Sequence, residues 1–321
     1  MTIKKKLKIW LLVEKNRFTD YENKRFAETA KKDGILLTIA DPEEFEIVVT
    51  EKGNKSMFYK GKPVELPDCA IPRMGGETTY FAFAVIRQLE KLGVFILNSR
   101  RSTQRAKDKL QTMQALASDN IPIPKTMLAN FPIDYEIVKQ EIGYPLVLKT
   151  VSGVEGKGVT LCKDETQLRD FLGLFETSKS RNANLLLQEF ISKSEGTDIR
   201  VIILGRKIIG AMKRTAKKGA FKANYSEGGT VEKFELDSAC KKIALDATES
   251  LGLNMVGVDL LFDGKGKYKV CELNSAPGFK GFEQATGLDI AKITYDYIRE
   301  KLEKGSKPTI HLLIDRLAGK K

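Results

Sequence analysis

A chain of 321 residues is long enough for about two domains, and its 42% hydrophobic and 30% charged residues exclude a disordered or low-complexity protein. Lys and Arg outnumber Asp and Glu by 54 to 42, a formal charge of +12, yet the lysines are spread along the chain. The excess favours anionic ligands in general and carries no inference of direct nucleic-acid binding.

The cysteines Cys69, Cys162, Cys240 and Cys271 are far apart and make no zinc or redox spacing. No run of about eighteen apolar residues marks a membrane span, and Met1 to Val13 lacks the form of a signal peptide. A cytoplasmic protein with no membrane partner is expected.

Periodicity predicts a strand over Lys8 to Val13, a helix over Tyr21 to Lys32 and a strand over Ile35 to Ala40. Glu46 to Thr50 and Ser56 to Tyr59 flank the turn-rich Glu51-Lys-Gly-Asn-Lys and predict a hairpin. Cys69-Ala-Ile-Pro-Arg73-Met-Gly75-Gly76 ends a short strand in a glycine loop, a favoured ligand position beyond a strand's carboxyl end. A plain strand-to-helix turn explains the same residues equally well. A helix over Tyr80 to Leu92 and a strand over Val94 to Leu97 complete an open α/β domain with a mostly parallel sheet.

A helix over Ser102 to Ser118 follows and is stopped by Asn120-Ile-Pro-Ile-Pro, because two prolines exclude its continuation. Lys109 lies on it, and an isolated helix lysine is ordinarily a solvated side chain. A second α/β unit has helices over Tyr135 to Glu141 and Glu165 to Glu176 and strands over Pro145 to Lys149 and Val159 to Cys162. The strands are joined by Val151-Ser-Gly-Val-Glu-Gly156-Lys-Gly158, whose unhindered backbone donors suit phosphates, with Lys149 as a point charge beside them. The loop lacks the Gly-Lys-Ser/Thr ending and leads into a strand, so it is neither a P-loop nor a dinucleotide fingerprint, and an ordinary hairpin loop also fits. The apolar strand Leu185 to Gln188 then turns into Glu189-Phe190-Ile191, which suits the edge and face of an adenine, or leaves Glu189 as a surface acid.

Strands over Asp198 to Leu204 and Lys207 to Lys213 precede a flexible stretch from Lys217 to Thr230, a helix over Ser238 to Leu251 and a closing hairpin with a last helix. Asp198, Arg200, Arg214 and Lys222-Ala223-Asn224 are candidates for the phosphate and metal end. The hairpin carries the sharpest signal. Its strands, Met255 to Phe262 and Tyr268 to Leu273, are joined at Asp263-Gly264 and Gly266. Glu272 and Asn274 share one face, and the antiparallel partner brings Asp259 alongside, so three oxygen donors converge as a magnesium ion prefers. An exposed acidic hairpin is the alternative.

In this order the features resemble the ATP-grasp superfamily, and within it the RimK family of ATP-dependent glutamate ligases. The likeness runs from about Leu7 to Arg299 through Ile71-Pro-Arg-Met-Gly, Ala106-Lys-Asp-Lys-Leu-Gln-Thr-Met-Gln, Gln188-Glu-Phe-Ile, Asp198-Ile-Arg and Gly281-Phe-Glu-Gln-Ala-Thr-Gly-Leu-Asp-Ile-Ala. It implies an α/β fold, α+β in its C-terminal part. Residues 1–100 would form a pre-ATP-grasp domain, 101–190 a linker helix and small lobe, 191–303 a C-terminal lobe with the metal site, and 304–321 a basic tail.

The resemblance implies that Lys109 and Lys149 contact ATP phosphates together with Gly156 and Gly158, and that Glu189 and Phe190 meet the adenine. Asp198 would lie on the ribose side, with Lys222, Ala223 and Asn224 in a covering loop. Asp259, Glu272 and Asn274 would hold Mg²⁺ or Mn²⁺, two ions by the family pattern, serving metal rather than packing. The implied reaction forms an acylphosphate and then an amide, with Lys149 and Arg214 offsetting charge and closed glycine loops excluding water.

L-Glutamate and the C-terminal carboxylate of a small-subunit ribosomal protein are the expected substrates. A pterin or deazaflavin coenzyme, or an amino-group carrier, is the alternative acceptor; a non-catalytic ATP-binding module is a third reading, disfavoured by the whole metal triad. A homotetramer would fit the family. Two departures bear on the acceptor: Lys222 stands where the family commonly has arginine, and Tyr225-Ser-Glu-Gly-Gly lacks the histidine associated with the ribosomal-protein ligases. His311, the single histidine, lies in the tail and has no expected role.

Overall fold

The computed structural model describes residues 6–49, 51, 57–74, 78–129, 131–151, 158–177, 184–223 and 228–305. The expectations for Gly75, Gly76, Gly156, Asn224, the Tyr225 segment and His311 lie outside them. The chain divides into two compact units, one drawn from 1–73, 79–97 and 289–321, the other from 74–78 and 98–288.

The first unit is built on a parallel sheet in the order Leu36–Ala40, Lys8–Leu12, Cys69–Pro72 and Phe95–Ile96. Strands covered on both faces need unbroken apolar runs, and Ile9, Leu11, Leu12, Cys69, Ala70 and Ile71 are all buried. The helices Tyr21–Lys32 and Tyr80–Lys91 supply the crossovers where periodicity placed them. The hairpin pairs Phe45–Ile47 with Met57–Tyr59 and adds a third strand, Lys62–Pro63, too short to show in sequence.

The last helix, Ile290–Gly305, packs with this unit although its sequence position groups it with the C-terminal lobe. Tyr295 is the reason: its ring is fully buried, meets Phe26 edge-on at 5.5 Å, and its hydroxyl donates to the Phe26 carbonyl at 2.9 Å. The ion pairs Arg25–Asp289 and Arg299–Asp33 flank it at the surface, where such pairs contribute little.

In the second unit a small antiparallel sheet runs Val159–Cys162, Leu146–Thr150, Leu185–Glu189, Thr126–Ala129. Val138, Leu168 and Leu172 of the helices Tyr135–Glu141 and Glu165–Thr177 join Leu146, Leu148, Leu185 and Leu187 in its core. A larger antiparallel sheet runs Thr230–Lys233, Lys207–Thr215, Thr197–Leu204, Met255–Gly264, Lys267–Asn274. One face is apolar, with Ile199, Val201, Ile203, Val256, Val258 and Leu260 packed against Leu116, Ala244, Ala247 and Leu251 of two helices. Alternation therefore sends Asp198, Arg200, Gly257 and Asp259 to the other face. The edge strands Thr126–Ala129 and Thr230–Lys233 escaped the sequence reading, being four residues each.

The expected single helix over Ser102 to Ser118 is two, Arg100–Lys107 and Lys109–Ser118. Asp108 between them is extended (φ −87°, ψ 106°), and its carboxylate accepts from Gln111 N at 2.9 Å, capping the second helix. The break makes Lys109 the first residue of a helix. Among the described residues, no helix is long and apolar enough to cross a membrane.

If Tyr295 seats the last helix, Tyr295→Ala should lower stability by about 3–5 kcal/mol, read as a reduced urea midpoint. An unchanged midpoint would show the helix to be held by its surface pairs instead.

Candidate active site

The polar face of the larger sheet carries a group of charged side chains whose neighbours are set by strand register. Asp198 lies opposite Arg214, Arg200 opposite Asp259, and Asp259 opposite Glu272. Directly opposed residues in an antiparallel pair are close enough to interact, so the register dictates the pairs. Arg214 grips Asp198 with two 2.6 Å bonds and reaches Asp259 Oδ2 at 2.9 Å. Arg200 holds both oxygens of Asp259 at 2.7 Å.

Burial sets the protonation of this ladder. It works against both acids, but Arg200 and Arg214 together hold the Asp259 carboxyl below the ordinary range. Asp198 shares a single guanidinium, and burial leaves its carboxyl raised. Burial also works against the Arg214 cation, yet Asp259 and Asp198 outweigh it and keep it firmly charged.

Asp259 is only 4% exposed. The expectation that it serves metal rather than packing therefore needs correction: this carboxylate is a structural counter-ion, and its removal would leave two guanidiniums unbalanced in a buried place. Glu272 and Asn274 are half-buried, with Asn274 Nδ2 3.5 Å from Asp259 Oδ2. A carboxylate offers about four acceptor positions, and the arginines take three on Asp259. The Asn274 amide N–H takes the fourth, so that amide would have to turn its oxygen inward for two carboxylates and an amide oxygen to hold a hard cation. Among the described residues no cluster of three His, Cys, Asp or Glu side chains could hold an ion.

The hairpin does not alternate simply. Its pairing passes from Asp259↔Glu272 to Leu260↔Val270, leaving Cys271 as the extra residue of a β-bulge. That is why Val270 and Leu273, three apart, both reach the core. Cys271 Sγ lies 3.7 Å from Lys149 Nζ. Burial pushes its thiol up, with Lys149 acting in the opposite sense.

From the small sheet, Lys149 donates to Gln188 Oε1 at 2.6 Å, and Gln188 Nε2 donates to Thr126 Oγ1 at 2.9 Å, so a buried amide fixes the cation. Burial lowers the pKa of Lys109, Glu272 raises it and Lys149 lowers it further; these three thus belong to one electrostatic neighbourhood. Gly158 has φ +73°, and a Cβ there would stand 2.9 Å from Thr150 Oγ1, so the loop's exit requires glycine.

Glu189 sits at the end of its strand, paired with Lys269 at 2.8 Å and accepting from Lys125 N at 3.0 Å. Burial raises its pKa and these partners lower it, with the lowering prevailing. Phe190 beside it is half-buried. Lys222 Nζ lies 5.9 Å from the Phe221 ring centroid, and Ala223 is buried.

One positioning residue escaped the sequence reading. Asn98, 1% exposed, donates to the Met255 and Ser275 carbonyls at 2.6 and 2.9 Å and accepts from Asn254 N and Met255 N at 2.7 and 2.9 Å. It ties the start of the Asp259 strand to the exit of the Asn274 strand with every donor and acceptor used. Nothing in Leu97-Asn98-Ser99 marks this role, because the partners lie more than 150 residues away. Gly257, opposite Asn274, is the second such residue: a Cβ there would meet Pro277 Cβ at 2.9 Å.

A model of the RimK-like ATP-grasp domain matches residues 106–298, and one of the RimK pre-ATP-grasp domain matches 7–103. The chain belongs to the RimK-like ATP-grasp family. Members of this family are ATP-dependent ligases that form carbon–nitrogen bonds, and so is this chain. A Legionella pneumophila protein named "Probable alpha-L-glutamate ligase" is 37% identical over 282 residues, 88% of this chain and 92% of its own. A Shewanella loihica protein of the same name is 35% identical, over 90% and 95%.

Among solved structures, the ATP-grasp ligase PsnB with its minimal precursor superposes at a TM-score of 0.70 with 21% identity, covering 92% of this chain and 98% of that one. D-alanine–D-alanine ligase from Bacillus anthracis does so at 0.66 with 19% identity, covering 94% and 99%. At such identities these two attest to the fold of this RimK-like protein.

Asn98→Ala should cost about 3 kcal/mol, because buried backbone groups at both strand ends would lose their partners. Denaturant unfolding checks this, and a loss under about 1 kcal/mol would remove Asn98 from the site's support.

Proposed function

We propose that the chain joins L-glutamate by an amide bond to a carboxylate of a peptide or protein, the C-terminal carboxylate of a small-subunit ribosomal protein being the first candidate. The observation that carries this reading is the 37% identity to relatives named as glutamate ligases, extending over 88% of the chain. The same fold holds a precursor peptide in PsnB, which makes a peptidyl acceptor reasonable.

An acceptor carboxylate oxygen attacks the terminal phosphorus of ATP, the bond to the bridging oxygen breaks, and ADP leaves. The glutamate amino group then attacks the acyl carbon and sheds a proton, and inorganic phosphate departs from the new amide. Charge gathers on phosphoryl oxygens, and the protein answers with cations fixed in advance. Lys149 is set by Gln188, and Arg214 is set by Asp198 and Asp259. Lys109, at a helix start in the same neighbourhood, adds a third.

Glu189 and Phe190 suit the adenine, with Asp198 toward the ribose. The bonds of Asp198 to Arg214 at 2.6 Å leave it less free for a hydroxyl than its sequence position suggests. Gly158 and its loop would cover the phosphates, with Lys222 and Ala223 on the opposite lid. Mg²⁺ or Mn²⁺, when bound by Asp259, Glu272 and Asn274, would neutralise phosphate charge.

Phosphate release from ATP, with glutamate and a panel of carboxylate acceptors and with product masses, tests the reading. Glu272→Gln is the cleaner variant, since Glu272 is half-buried and outside the arginine ladder. It should lose about 100-fold or more in ligation while melting like the parent. Undiminished turnover would overturn the metal assignment; ligation of amino acids other than glutamate would overturn the substrate.

A further inference from the structure

The helices Arg100–Lys107 and Lys109–Ser118 enclose an open cleft of about 520 Å³. Arg101 and Arg105 are one turn apart on the first helix, and Gln111, Gln114 and Ser118 recur at three and four residues on the second. Each helix therefore turns one polar stripe to the cleft. Arg100 joins the lining, its Nη1 donating to Gln104 Oε1 at 2.8 Å.

Among the described residues no acidic side chain lines this cleft. Several other surface guanidiniums meet carboxylates: Arg17 with Asp20, Arg169 with Glu165, Arg206 with Glu249, Arg299 with Asp33. Arg101 and Arg105 have no acidic partner among the described residues. Like charges one turn apart work against a helix, so their spacing is not a stability device.

We propose that this cleft binds a carboxylate-rich peptide, the α-glutamyl segment of the ligation product, apart from the nucleotide site. Guanidinium forks match carboxylates bidentately, and glutamine amides can both donate to and accept from a peptide backbone. Among the described residues no aromatic ring lines the cleft, so they supply no stacking platform of the kind a single-stranded nucleic-acid site uses. The choice of a glutamyl peptide rests on the proposed reaction, in which each addition consumes one carboxylate and brings two. The product is thus more acidic than the acceptor and is held for the next addition.

The test titrates labelled tetra-α-L-glutamate with the full-length chain at low salt, using the parent, an R101Q/R105Q double variant and an R101K/R105K control, each checked for its parental melting temperature. The Gln variant should bind about tenfold or more weakly and the Lys variant should fall between, since a point charge lacks the fork. First-addition rates should stay unchanged while the product length shortens. Equal binding by parent and Gln variant overturns the proposal, as does preference for a single-stranded RNA of equal charge. Peptide binding that needs the arginines in a protein that ligates no glutamate sinks the proposed reaction and leaves the cleft standing; glutamate ligation with binding indifferent to the arginines does the reverse.

Discussion

The Asp259 carboxylate held between Arg200 and Arg214 is the contact on which the site depends. Removing charges from water costs several kcal/mol per ion, and a half-paired ladder would be worse than an apolar one. Sheet register resolves this, because the strands that bury Ile199, Val201, Val256 and Val258 on one face bring Arg200 opposite Asp259 on the other. Packing on one face thus fixes the electrostatics of the other. Asp259 is counter-ion to both arginines, and in the proposed reading it would also be the deepest donor of the metal set.

The same ladder explains how a cationic site is kept in shape before any nucleotide arrives. Arg200, Arg214, Lys109 and Lys149 stand against Asp198, Asp259 and Glu272, an excess of positive charge suited to a polyanion. Arg214 is tethered by two acids, Arg200 by one and Lys149 by a buried amide. Tethered donors need little reorganisation when charge develops, which is the physical content of preorganisation.

The fold was readable from the sequence wherever a local period governs. The helices Tyr21–Lys32, Tyr135–Glu141 and Ser238–Leu251 fall where their apolar spacing put them, and the hairpin that opposes Asp259 to Glu272 follows from two alternating runs about a glycine turn. What escaped depends on partners remote in sequence or on single-residue irregularities. The bulge at Cys271 adds one residue to a strand whose alternation otherwise looks regular, and Asn98 is an ordinary loop asparagine until the strands it ties are in place. Asp108 did carry a signal, an aspartate three residues before the amide it caps, but unbroken helix-forming residues on both sides hid it.

That break at Asp108 joins the chemistry to its surroundings. Lys109 begins the helix whose far side bears Gln111 and Gln114, while Arg101 and Arg105 belong to the helix that ends just before it. Both helices are anchored in the second unit, Ser102 by its hydroxyl's bond to the Gly252 carbonyl at 2.7 Å and Leu116 by burial in the sheet's core. A continuous helix would carry the arginines along one axis with Lys109. A capped corner instead separates the two sets of cations, Lys109 half-buried within the influence of Glu272 and Arg101 exposed, so that under the two proposals a nucleotide phosphate and an acidic chain would be met by adjoining stretches of the chain.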